Sequence, residues 1–169
     1  MNYSVPKASV KVKVVMTAGA PRVGMAFVAE AARDHAGHQR LEDMLNEPES
    51  FFPLATKSGF VLLNKRNLLY LTTTDAAETD YYINLRSVAR REEVVLSLRG
   101  RHSTRGTLLI EMPAGMARVQ DYINTNRAFL PLLAGRELAL INSASIVSLT
   151  PVAPRPTHRK PGATKRKPR

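Results

Sequence analysis

The sequence predicts a mainly β chain built from two tandem small five-stranded antiparallel barrels, each with a short helical turn between its second and third strands. Three observations carry this expectation. Part of the chain repeats itself, positions 40–72 returning as 118–150. Each copy opens on strict alternation of apolar and polar residues, the period of a half-buried strand. The remaining apolar runs are short and separated by turn residues, which suits hairpins closing a strongly bent sheet.

The repeat is read directly. Arg40-Leu41-Glu42-Asp43-Met44-Leu45-Asn46 recurs as Arg118-Val119-Gln120-Asp121-Tyr122-Ile123-Asn124, and the match runs on without a gap. Over positions 40–72 against 118–150, ten pairs are identical, against about two expected by chance, so the chain carries a duplication. Upstream, Val14-Val15-Met16 answers to Val94-Val95-Leu96, and Gly24-Met25-Ala26-Phe27-Val28 to Gly106-Thr107-Leu108-Leu109-Ile110. The predicted organisation is an N-terminal arm (1–8), copy one (9–73), a linker (74–91), copy two (92–150) and a basic Pro-rich tail (151–169). The linker contains Tyr81-Tyr82-Ile83-Asn84-Leu85, too apolar for a purely flexible tether, and is expected to pack on one copy.

Within each copy the elements follow in order. Val10, Val12 and Val14 alternate with Lys11 and Lys13 in the first strand, and 94–98 repeats the pattern. A Gly-containing turn leads to a second apolar strand at 24–30 or 106–112. The Arg-x-x-Asp-x-x-Asn segment carries apolar residues at i+1 and i+5, which suits a helical turn. Phe51-Phe52-Pro53-Leu54 and Phe129-Leu130-Pro131-Leu132 read as a third strand with Pro at an edge or bulge. Phe60 to Asn64 and Leu138 to Asn142 form the fourth, and a turn of about three residues leads to the fifth at 68–72 and 146–150.

The order strand, Gly, strand, Asp/Asn-bearing segment and then Leu62-Leu63-Asn64-Lys65-Arg66-Asn67-Leu68-Leu69-Tyr70-Leu71 resembles the Sm-like (Hfq-like) small barrel. Copy two supplies Leu140-Ile141-Asn142-Ser143-Ala144-Ser145-Ile146-Val147-Ser148-Leu149 at the same place. Neither copy has the turn glycine of that family, and copy two lacks its basic turn. Some other small barrel remains the alternative. The resemblance implies nucleotide contacts near the repeated Asn residues, and ring assembly in which a trimer of two-barrel chains presents six barrels.

Charge points to a polyanionic partner. The formal net charge is +11, and the stretch from Pro151 to Arg169 holds seven Lys and Arg but no Asp or Glu. Such a segment buries too little to offset chain entropy and is expected to be disordered. It would bind phosphates through counterion release. The candidate nucleic-acid-binding residues are Arg159, Lys160, Lys165, Arg166 and Lys167 in the tail, with Lys65, Arg66, Arg99, Arg101 and Arg105 in barrel loops. Arg40/Asp43 and Arg118/Asp121 are i,i+3 charge pairs and, with Asn46, Asn64, Asn124 and Asn142, are read as structural residues of the repeat.

The function expected is therefore non-catalytic nucleic-acid binding, RNA before DNA. The alternative is a protein-interaction or scaffold module whose tail docks an acidic partner. Open edge strands predict pairing between the two copies or between chains, the latter giving homo-oligomers. With no Cys, disulfides, thiolate zinc sites and a Cys nucleophile are excluded, and a reducing cytoplasm is expected. His35 and His38 have metal-ligand spacing but no evident third ligand. No phosphate-binding Gly loop, nucleophile elbow or cofactor fingerprint occurs, so no enzyme, cofactor or small-molecule substrate is predicted. No apolar run approaches the roughly 18 residues of a membrane span.

Overall fold

The computed structural model describes residues 7–30, 37–112, 118–125 and 127–152. The N-terminal residues 1–6 and the predicted basic tail from 153 onward, with Arg159, Lys160, Lys165, Arg166 and Lys167, lie outside the described residues, as does His35.

The chain is mainly β. Its first half carries β1 (Lys7–Met16), β2 (Arg22–Ala29), the helix α1 (Leu41–Asn46), β3 (Phe51–Thr56), β4 (Gly59–Asn64), a 3-10 turn (Lys65–Asn67) and β5 (Leu68–Thr73). A helix α2 (Ala76–Leu85) follows. The second half repeats the series as β6 (Arg90–Leu98), β7 (His102–Ile110), α3 (Val119–Ile123), β8 (Phe129–Ala134), β9 (Glu137–Asn142), a 3-10 turn (Ser143–Ser145) and β10 (Ile146–Pro151). The last three strands and the 3-10 turn begin and end at matching repeat positions in the two halves, so the sequence repeat is also a structural one. No helix among the described residues is long and apolar enough to cross a membrane.

The expected pair of five-stranded barrels stands as one sheet that is not closed, its two halves paired edge to edge as open edge strands allow. All ten strands belong to one antiparallel sheet, ordered β10-β6-β7-β8-β9-β5-β1-β2-β3-β4. Each half has the same internal order, its fifth strand beside its first and its fourth at the far end. The halves are joined because β5 pairs with β9, in the register Tyr70↔Ile141, Leu71↔Leu140, Thr72↔Ala139 and Thr73↔Leu138. The physical reason lies in the apolar residues on both faces of β9. Ala139 and Ile141 face the core of the second half, whereas Leu138 and Leu140 enter the core of the first. In return, Val15 and Leu69 of the first half join the second core. Each such Leu contributes about 1.5–3 kcal/mol by leaving water.

Local chemistry explains the elements. In β1, Val10, Val12 and Val14 are buried and Lys11 and Lys13 are exposed, so period 2 sorts the two faces. Gly24 and Gly106 occupy equivalent positions where the second strand of each half crosses onto the third. A Cβ on Gly24 would stand 2.4 Å from Ala55 O, and one on Gly106 would stand 2.7 Å from Leu132 Cγ. Only a residue without Cβ permits that approach. The linker is more ordered than a tether, because α2 fills it. Asp75 precedes the helix and accepts the Ala77 N–H at 3.0 Å, as an N-cap should.

Candidate nucleic-acid interface

The turns after β4 and β6 and the segments leading into β3 and β8 meet at the junction of the halves. They enclose an open depression of about 770 Å³ lined by Asn46, Lys65, Arg66, Arg99, Arg127 and Asn142, with Glu47 and Glu49 beside them. Of the predicted loop cations, it brings together Lys65, Arg66 and Arg99. Arg101 and Arg105 do not line it.

These cations are not equivalent. The sequence places Lys65 among the phosphate contacts, yet its side chain is buried and its Nζ donates to Met44 O at 2.6 Å and Glu47 O at 3.1 Å. It closes the carbonyl end of α1, the end of a helix that favours a cation. Burial pushes its pKa down, against the opposing fields of Glu47 and Glu49. Arg66 and Arg99 are exposed, and neither has an ion-pair partner among the described residues. Arg101 is also exposed and takes a positive φ of 63° in the turn before β7. Arg105 lies on β7 and is matched by Glu93 at 2.9 Å.

Three of the four repeated Asn residues bond backbone groups. Asn64 Oδ1 accepts the Arg66 N–H at 2.9 Å, and Asn142 Oδ1 accepts the Ala144 N–H at 3.0 Å. Both form the Asx turn that opens the 3-10 segment. Asn142 Nδ2 also crosses the junction to Leu68 O at 2.8 Å. Asn46 accepts the Phe129 N–H at 3.0 Å and donates to Phe129 O at 3.2 Å. Asn124, its counterpart after α3, is exposed.

The charge pairs behave as helix starts. Asp43 accepts the Arg40 backbone N–H at 2.8 Å, while the Arg40 guanidinium lies 3.6 Å from the Tyr81 ring centroid. Arg118 precedes α3, and Asp121 sits in its first turn.

A buried polar cluster beside the depression escaped sequence reasoning. Tyr82 O–H donates to Glu42 Oε2, and Arg127 Nη1 donates to Glu42 Oε1 at 2.7 Å. Burial raises the Tyr82 pKa well above its ordinary value, reinforced by the Glu42 charge. Burial, then Glu42, pushes Tyr122 up to about 12. Behind it, Glu78 Oε2 accepts the Leu41 N–H at 3.0 Å, and His38 Nε2 stands 3.5 Å from Glu78 Oε1. The signal available was Asp75 followed three residues later by Glu78, a helix-start spacing. Its outcome is unusual, because Glu78 turns to the start of α1 instead of its own helix.

The described residues contain no group of three or more His, Asp or Glu side chains placed to hold a metal ion. Two guanidinium groups on a concave surface, with no ion-pair partner among the described residues, can receive phosphate oxygens through their N–H forks. No family model matches this chain, and no curated protein or solved structure matches it at a significant level.

Proposed function

We propose that the chain is a non-catalytic nucleic-acid-binding protein in which each half of the sheet works as a small five-stranded barrel of the Sm-like kind. The observation that carries this reading is the meeting of Arg66 and Arg99, one from each half of the sequence, at one depression, with no ion-pair partner for either among the described residues. The identical strand order of the two halves and the matched glycines Gly24 and Gly106 support the barrel description. RNA is placed before DNA on the Sm-like resemblance alone. The basic residues beyond 152 would add sequence-independent phosphate contacts. A reducing cytoplasm is the compartment proposed, from the lack of Cys.

The test is fluorescence anisotropy with labelled single-stranded RNA and DNA, titrated with salt after nuclease treatment and an absorbance check for co-purified nucleic acid. Each of Arg66→Ala and Arg99→Ala is expected to lower the salt slope by about 0.7 for a single strand. Removing residues 153–169, which leaves β10 whole, is expected to lower it further. If truncation leaves the slope unchanged, the tail is not a contact. Absence of binding to either nucleic acid at low salt overturns the proposal. A second reading, a protein-interaction scaffold whose tail docks an acidic partner, is favoured by exposed Phe60 and Leu62 on β4. It predicts binding to an acidic protein and none to nucleic acid.

A further inference from the structure

Period 2 sends alternate residues of a strand to one face, and pairing register lines such residues up across strands. On the outward face of the first half, one row runs Lys11, Met25, Ala55 and Phe60, from β1 through β2 and β3 to β4. Three strand spacings make this row about 14 Å long. Phe60 rests on Phe27, with ring centroids 5.9 Å apart, and is still 76% exposed. Val23, two residues before Met25 and so on the same face, is 55% exposed. Val23, Met25 and Phe60 line an open groove of about 870 Å³, together with the exposed cations Lys11, Arg22 and Lys57. A groove of that size holds a small organic molecule.

The charge around this groove has one sign. No Asp or Glu among the described residues lines it. Lys11, Arg22 and Lys57 have no ion-pair partner among those residues. The duplication shows that the fold does not require this arrangement. Gly24 stands opposite Val12 and Gly106 opposite Val94, so the equivalent row in the second half is Glu93, Thr107, Leu133 and Leu138. There a carboxylate takes the place of Lys11 and is matched by Arg105 at 2.9 Å, and Leu138 is wholly buried. The first half alone keeps an open apolar floor beside uncompensated cations.

We propose that this groove binds a single-chain anionic amphiphile, a medium-chain carboxylate, whose head group meets Lys11, Arg22 and Lys57 while its alkyl chain covers Met25 and Phe60. A neutral apolar molecule would leave the cations without a counter-charge, and an inorganic anion would leave the apolar floor in water. An amphiphilic anion answers both, through charge-assisted hydrogen bonds at its head and burial of its chain. The length of the row selects a medium chain over a short one. The groove shares no lining residue with the depression at Arg66 and Arg99, so this binding stands apart from the proposed function.

The test is isothermal titration of nuclease-treated full-length protein with sodium decanoate below its micellar range. Saturable binding of one decanoate per chain is expected. Phe60→Ala is expected to weaken it at least about tenfold, and Lys57→Glu about fivefold at low salt, with less effect at high salt. Both side chains are exposed, so the circular dichroism spectrum should stay unchanged. Val88→Ala, at an exposed apolar residue outside the groove, should bind as the wild type does. Hexanoate, too short to follow the row, is expected to bind at least about tenfold more weakly. Decyltrimethylammonium, with the same chain and the opposite charge, should show no comparable uptake. Absence of saturable decanoate binding, as when a second copy already covers Phe60, overturns the proposal. So do an affinity that Phe60→Ala and Lys57→Glu both leave intact, equal uptake of the cationic amphiphile, and displacement of decanoate by single-stranded RNA, which would assign the groove to nucleic acid.

Discussion

Both ends of the Asn46 amide bond the backbone of Phe129, in the other half of the chain. Removing it strands a backbone donor and acceptor at the junction. Asn46→Ala is expected to cost about 1–3 kcal/mol in denaturant unfolding. Asn124→Ala in dilute solution should stay within about 0.5 kcal/mol, as exposed substitutions do. Glu78 makes a different residue-level prediction. Its carboxyl pKa is raised by burial, with Asp75 adding to the shift and the Leu41 N–H and His38 opposing it. A raised folded-state pKa favours the protonated carboxyl, so its contribution is fullest below the ordinary carboxylate range and is lost as pH rises through the raised value. Glu78→Gln keeps an acceptor for Leu41 and does not ionise. Its denaturation midpoint is expected to gain on the wild type as pH rises from the acid range to neutrality; a pH-independent difference would contradict this account. At this scale the sequence shows which Asn residues recur but not their partners. Asn46 and Asn142 bond across the junction, and no local pattern encodes a contact with the opposite half of the chain.

Strands and helices were more legible than side-chain roles. The alternation of Val10 to Val14 and the apolar residues around Asp43 are local signals, and β1 and α1 stand where those signals lie. The helix α2 was expected only as an apolar linker packing on one copy, since Tyr81-Tyr82 suggested no period. Tyr82 is buried on the Glu42 carboxylate and Tyr81 carries Arg40, so adjacent tyrosines serve different neighbours. The strands β4 and β9 show how context overrides a shared sequence. Leu62 and Leu140 are identical repeat positions, one exposed on an edge and one wholly buried. Leu140→Ala is expected to destabilise by about 2–5 kcal/mol through lost burial and a cavity. Leu62→Ala, measured where the chain is dilute, should change stability by less than about 0.5 kcal/mol. Equal effects in urea titrations would show that β4 is covered within its own chain.

The whole molecule is less divisible than its repeat suggests. The first core takes Leu109, Phe129, Leu133, Leu138 and Leu140 from the second half, and the second core takes Val15 and Leu69 from the first. A domain boundary at the linker would cut through both cores. Thermal unfolding is therefore expected as one cooperative transition, with circular dichroism and tyrosine fluorescence coincident. Two separated transitions would mean that the halves fold independently. The duplication was visible in residue identities, and open edges predicted pairing between copies or between chains, but not which of the two. The same apolar residues would suit either a closed unit or a shared one, and only the placement of Leu138, Leu140 and Leu69 decides between them.

The order of the strands also sets a timetable for synthesis. The partner of β5 is β9, and the whole of 74–136 lies between Thr73 and Glu137. At about 5–20 residues per second, the ribosome leaves β5 waiting roughly 3–13 s for the strand that covers Leu69 and Leu71. Throughout that interval the nascent first half displays apolar edges on both β4 and β5. Chains stalled or truncated before β9 would therefore be natural clients for chaperones that shield unpaired strands.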